Sequence, residues 1–161
     1  MAETILDTFM VTEHAPQAKQ RPRMTRGGHV YTPAETRRAE LFIKLHAEAE
    51  YALKMGRSPY PGPVHLYLDI VIPRPRTSKR PYPDVKPDLD NYQKLVCDAL
   101  NEVVWRDDCQ VTNAAVAKRY AKPGEKTGFR ILVKAVEDGT ETKKPTTPQT
   151  LPNLFEEVRH G

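Results

Sequence analysis

The sequence predicts an α+β domain (mixed α/β), a small mixed β-sheet with two main helices packed on it. VHLYLDIVI, residues 64–72, alternates large apolar groups with the two-residue period of a strand. DNYQKLVCDALNEVV, residues 90–104, repeats apolar groups at spacings of three and four, the period of a helix packed by one face. Further strand-like runs lie near both ends of residues 1–136, and a second helical stretch occupies 33–53. At 161 residues the chain suffices for one domain with a sizeable core and is short for two.

In chain order, ILDTFMVT at 5–12 mixes apolar and β-branched residues and reads as a first strand. A polar loop, APQAKQRPRMTRGGHVY, follows. Thr32 then supplies a helix N-cap, with Pro33 at the first helical position and Glu35 three residues after the cap. That helix runs from Pro33 to Leu53, with Leu41, Leu45, Ala49, Tyr51 and Ala52 inward and Gly56 past its end. PYPGP at 59–63 breaks the chain before the strand that sets Val64, Leu66, Leu68, Ile70 and Ile72 on one face. Residues 73–87 interleave five prolines with Arg74, Arg76, Lys79, Arg80 and Lys86, so no regular element forms there. The second helix spans Asp88 to Val104, with Leu89, Tyr92, Val96, Leu100 and Val103 inward. CQVTNAAVAKRYA and GFRILVKAV then read as a hairpin around KPGEKTG. The folded domain is expected over 1–137. Residues 138–161 are polar, threonine-rich and proline-punctuated, a disordered tail that cannot bury enough apolar surface to offset its ordering entropy.

Composition narrows the class. No stretch approaches the roughly 20 apolar residues of a membrane span, and the acidic N-terminus is unlike a secretory leader, so a cytoplasmic protein is expected. Cys97 and Cys109 are the only cysteines and have no histidine at zinc-ligand spacing, which leaves two free thiols, Cys97 buried. A net charge of +4 and a pI near 9.1 permit nucleic-acid binding. The distribution says more. Lys19, Arg21, Arg23, Arg26, Arg37, Arg38 and Lys44 cluster ahead of and within the first helix, and a second basic run ends at the mouth of the second. Trp105 is expected to pack between helix and sheet.

At that mouth stands KPDLDNYQKLVCDALNEVVWRDD, residues 86–108. Each acidic residue has an ordinary reading. Asp88 suits an N-cap, Asp90 with Lys94 and Lys94 with Asp98 have the spacing of surface ion pairs, and Asp107-Asp108 suits a turn. Together they say more, because the apolar stripe aligns Asp90, Lys94 and Asp98 on another face, to which Asp107 or Asp108 could return. Gathered carboxylates repel one another unless a hard cation neutralises them. An oxygen-only donor set suits Mg²⁺ or Mn²⁺ and, with phosphate oxygens completing the shell, points to phosphodiester chemistry. The neighbouring basic loop supports phosphate-backbone contacts.

The run Asp88-Leu89-Asp90-Asn91, then Lys94, Asp98-Ala99-Leu100, Asp107-Asp108 and Gln110-Val111 resembles the RusA-type Holliday-junction resolvases. KQRPR ahead of Tyr31-Thr32-Pro33 is similar to phage-type members, and the resemblance covers residues 5–136. It implies a homodimeric Mg²⁺-dependent endodeoxyribonuclease, with Mn²⁺ a possible substitute, that resolves four-way DNA junctions by paired symmetric nicks leaving 5′-phosphate ends. It assigns metal binding to Asp88, Asp90 and Asp108 and catalysis to these three with Lys94. Asp107 and Asp98 match positions of less defined role, and the link from helix to Asp107-Asp108 is one residue shorter than the family form. Backbone contacts fall to Lys19, Arg21, Arg23, Arg76, Lys79 and Arg80. A broader branched or flap DNA endonuclease, and a catalytically inactive structure-selective binder, remain as alternatives. In the tail, Gln149, Leu151, Leu154 and Phe155 resemble the peptides by which bacterial DNA-processing proteins dock on the replicative sliding clamp.

Overall fold

The computed structural model describes residues 3–12, 15–56 and 58–136. The tail and its Gln149–Phe155 peptide lie outside the described residues. Strand β1 (Glu3–Thr12) leads to a short hairpin, β2 (Arg23–Met24) and β3 (Val30–Tyr31), then to helix α1 (Ala34–Met55). Strand β4 (Val64–Ile72), helix α2 (Leu89–Leu100) and strands β5 (Val111–Tyr120) and β6 (Gly128–Val136) complete the order. The four-stranded sheet runs β1-β6-β4-β5, with β4 and β5 parallel and the other neighbours antiparallel. The mixed sheet with two helices is the predicted fold class.

The predicted β5–β6 hairpin is corrected: β4 lies between the two strands and pairs with both. The reason is burial. Strand β4 is buried along most of its length, whereas β5 carries polar or small exposed residues at 112–114 and is suited to an edge. An ion network on one face stitches the arrangement. From β5, Arg119 donates to Asp69 of β4 at 2.9 Å and to Glu125 of the connecting loop at 2.7 Å, and Arg130 of β6 reaches Glu125 at 3.0 Å. Asp69 is buried, and this pairing is what makes its burial tolerable.

The opposite face carries the core. Register aligns Phe9, Ile131, Leu68 and Val116 in one row across the sheet. Helices α1 and α2 pack on one another, α1 also meeting β1 and α2 meeting β5. Trp105 is fully buried in this core and donates Nε1–H to Asn101 Oδ1 at 2.8 Å, as its amphipathic ring requires. Cys97 is buried too, and burial pushes its thiol up to about 12, while Cys109 is an exposed free thiol.

Both helices differ from expectation. Helix α1 starts at Ala34, Pro33 takes the cap position, and no side chain caps it. Its buried stripe is Thr36, Ala39, Ile43, Ala47 and Tyr51, so Leu41, Leu45 and Ala49 are corrected from inward to exposed. Small side chains at Thr36, Ala39 and Ala47 let α1 approach α2 and β1, and the Thr36 hydroxyl accepts from the Gln20 amide at 3.1 Å. Helix α2 ends at Leu100 and not Val104, because the chain turns there: the Val103 and Val104 amides both bond the Leu100 carbonyl. Leu89, in the first turn, is 39% exposed, so it does not belong to the inward stripe.

Candidate metal and DNA site

Strand β4, the proline-rich loop, α2 and β5 form a crossover in which α2 runs back over the sheet between two parallel strands. This places the first turn of α2 at the carboxyl ends of β4 and β5. Asp88 sits at the N-cap with extended backbone (φ −71°, ψ 151°), yet its side chain makes no capping bond. Asp88 and Asp90 are exposed and have no hydrogen-bond or ion-pair partner among the described residues. Lys94 is likewise exposed and unpaired, so the Asp90–Lys94 and Lys94–Asp98 surface pairs that would explain the spacing do not form. Helix α2 therefore presents uncapped first-turn amides and two unneutralised carboxylates at one point.

Asp98 has another partner. It pairs with Lys19, whose ammonium also reaches Glu40 at 3.1 Å and whose amide bonds the Asn91 carbonyl at 3.0 Å. Burial works against the charge on Lys19, but the bonds to Asp98 and Glu40 outweigh it and hold its pKa above the usual lysine value. Lys19 thus anchors the N-terminal basic loop to both helices, while Arg21 and Arg23 beyond it are exposed. In the second basic loop Arg74 stacks over Tyr120 at 4.5 Å and donates to the Arg80 carbonyl at 2.7 Å, and Arg80 pairs with Asp84 at 2.7 Å. Arg76 and Lys79 remain exposed with no partner among the described residues. Sequence reasoning missed this internal order. The loop has no regular element, but it is folded by its own arginines.

Asp107 and Asp108 are now distinguishable. Asp107 caps the 3₁₀ turn Asp108–Gln110, its Oδ1 accepting from the Cys109 amide at 2.9 Å, and this bond, with one to Asp108, holds its carboxyl below the usual range. Asp108 is raised instead, first by burial and then by the hydrogen bond and charge of Asp107 and the charge of Asp98, with Lys94 opposing. Asp107 is structurally committed; Asp108 carries unrelieved negative charge beside Asp98 and Lys94. Gln110, whose role no sequence motif reveals, organises this turn: its Oε1 accepts from the amides of Arg106 and Asp107, and its Nε2 donates to the carbonyls of Tyr60 and Gly62.

The carboxylates are not all gathered. Among the described residues no group of three or more His, Cys, Asp or Glu side chains is arranged to hold a metal ion. The topology gives the reason. Asp108 precedes β5, whose first residue pairs with Val64 at the start of β4, whereas Asp88 follows the loop from the end of β4. The charges felt at Asp108 are those of Asp107 beside it and of Asp98 and Lys94, from the middle and end of α2, and not those of Asp88 or Asp90 at its start.

A family model described as Endodeoxyribonuclease RusA matches residues 13–131 of the chain. The chain belongs to the RusA endodeoxyribonuclease family. Membership implies a Holliday-junction resolvase nuclease, and RusA resolvases are in general dependent on a divalent metal. The matched segment contains both basic loops, Asp88, Asp90, Lys94 and the 3₁₀ turn. A relative in Bacillus subtilis (strain 168), the uncharacterized protein YqaN, is 32% identical over 122 residues, 66% of this chain and 83% of that one. Among the described residues no helix is long and apolar enough to cross a membrane.

Proposed function

We propose that this protein is a Mg²⁺-dependent endodeoxyribonuclease that resolves four-way DNA junctions by paired symmetric nicks, leaving 5′-phosphate and 3′-hydroxyl ends. The observation that carries the reading is the state of Asp88 and Asp90, exposed, unpaired and uncapping at a helix mouth fed by a basic loop. Capping and surface ion pairing, the ordinary reasons for such residues, are both unmet.

The donor chemistry fits a hard divalent cation: carboxylate oxygens alone, with no histidine or thiolate beside Asp88 and Asp90 in KPDLDN. Mg²⁺ or Mn²⁺ held there supplies a Lewis acid and a water of lowered pKa. Asp88 and Asp90 would hold the ion, and the uncapped α2 amides add positive field for a phosphate. Lys94, one turn on, would offset charge developing on the phosphoryl oxygens. Arg21, Arg76 and Lys79, exposed and without an ion-pair partner among the described residues, and Arg23, which donates only to Gln20 Oε1 at 3.3 Å, would make the backbone contacts, with Lys19 and Arg80 shaping the loops that carry them.

Asp108 would serve as third ligand from a second protomer, a reading supported by the absence, among the described residues, of a three-carboxylate group within one chain. A two-fold homodimer would bring Asp108 of the partner subunit to the pair and set two sites for two symmetric nicks. Leu41, Phe42 and Leu45 of α1, 55%, 39% and 53% exposed, supply an apolar face for such a dimer. The tail peptide with Gln149, Leu151, Leu154 and Phe155 would tether the nuclease to the sliding clamp, and its deletion should leave cleavage of free junctions intact. Nicking of labelled four-way, three-way, flap and linear DNA tests the substrate. Symmetric nicks confined to the four-way junction are expected, and equal cutting of flaps would replace resolvase by a broader branched-DNA nuclease.

A further inference from the structure

Lys118 occupies a position where the fold calls for an apolar residue. The register aligns Val11, Phe129, Ile70 and Lys118 in one row on the helix-covered face, and the other three are fully buried. A lysine there is tolerable only if its stem packs and its ammonium is satisfied. The ammonium reaches past the edge of the sheet to the loop that enters α2, donating to the Val85 carbonyl at 2.7 Å and the Pro87 carbonyl at 2.8 Å. Its charge also helps hold the carboxyl of Asp84 in that loop below its ordinary range, behind the larger effect of Arg80.

The geometry points to Lys118 as a positioning residue for the metal-binding pair. The Pro87 carbonyl belongs to the peptide unit that begins Asp88, so two bonds from a rigid strand fix the backbone immediately before the carboxylates. Residues 73–87 form no regular element, and five prolines remove amide donors that would otherwise tie that backbone down. Lys118 substitutes for the missing ladder. Its bonds go to carbonyls, so Asp88 and Asp90 keep no ion-pair partner among the described residues. Outer partners of this kind orient the ligands and tune affinity, and their loss costs about 10–100-fold in metal affinity or activity. This assignment rests on the reading of Asp88 and Asp90 as metal ligands.

The test uses the full chain and Lys118→Met, which keeps an unbranched stem, and Lys118→Arg, which can still donate to two carbonyls. Hydrogen exchange of peptides covering 85–91 should speed about tenfold in Lys118→Met, with β4 and β6 peptides unchanged. Mn²⁺ binding, followed by the signal of free Mn²⁺, should weaken about tenfold, and the Mg²⁺ midpoint for junction cleavage should rise alike with junction KM unchanged. Lys118→Arg should restore most of each. Wild-type exchange and Mn²⁺ affinity in Lys118→Met would overturn the assignment, as would faster exchange throughout the sheet, which would make Lys118 a stability residue only. Should wild type neither bind Mn²⁺ nor cut, the metal-site reading fails by itself, and local exchange still decides whether Lys118 holds the loop.

Discussion

Replacing Gln110 by Ala should destabilise the fold measurably although the side chain is half-buried. One amide closes its own turn and ties it to the 60–62 loop. Its oxygen takes the Arg106 and Asp107 amides at 2.8 and 3.1 Å, and its nitrogen holds the Tyr60 and Gly62 carbonyls at 2.9 and 2.7 Å. Each such bond contributes about 0.5–1.5 kcal/mol net. All four together would give about 2–6 kcal/mol, and water reaching the freed groups at this partly exposed turn places the expected loss at the lower end, about 2–3 kcal/mol. Urea unfolding at pH 7 reads this as a lower midpoint with the slope unchanged. Gln110→Glu keeps the acceptor but loses both donors when ionised, and it adds a carboxylate beside Asp107 and Asp108. It should therefore be at least as damaging at pH 7 and milder below about pH 4, where a glutamate is mostly protonated. A loss below about 0.5 kcal/mol for Gln110→Ala would refute the view that this side chain organises the turn.

The Arg119 network predicts an acid dependence. The Arg119 guanidinium, with the Lys122 amide and Arg130, holds Glu125 down at about 2, against 4.5 ordinarily. A depressed carboxylate adds stability above its unfolded pKa, so that stability should be present above about 4.5 and disappear as pH falls to about 2. Melting of wild type and Glu125→Gln across that window should converge at the acid end; parallel curves would contradict it. Lys19→Met should leave Asp98 and Glu40 unpaired and loosen the N-terminal basic loop, giving a lower urea midpoint and weaker junction binding at low salt, whereas unchanged binding would remove Lys19 as the anchor. For the shared site, Asp90→Asn and Asp108→Asn, each inactive alone, should regain cleavage when mixed as refolded dimers, because one site per heterodimer is then intact. Mixtures as dead as their parents would place all ligands in one chain.

Much of this fold is legible in local periodicity. The strand at 64–72 and the second helix announce themselves because each buries one face. What fails is non-local. In α1 the large Leu41 and Leu45 suggest the inward face, yet close packing against α2 and β1 selects Ala39, Ile43 and Ala47. A short connection suggests a β5–β6 hairpin, but β4, buried on both faces, takes the middle of the sheet. The candidate site divides in the same way. Asp88, Asp90 and Lys94 are readable because the first two turns of one helix place them. That Asp108 falls beside Asp98 and Lys94 depends on the direction in which α2 crosses the sheet, and Lys118 looks like one more surface lysine until the register sets it beside Ile70.

The most direct test of the central claim is cleavage of an end-labelled synthetic four-way junction in Mg²⁺, with matched linear duplex, by wild type and Asp90→Asn. The account predicts paired symmetric nicks by wild type on the junction alone, reduced about a hundredfold or more in Asp90→Asn while junction binding is retained. Cleavage by Asp90→Asn at the wild-type rate would contradict it.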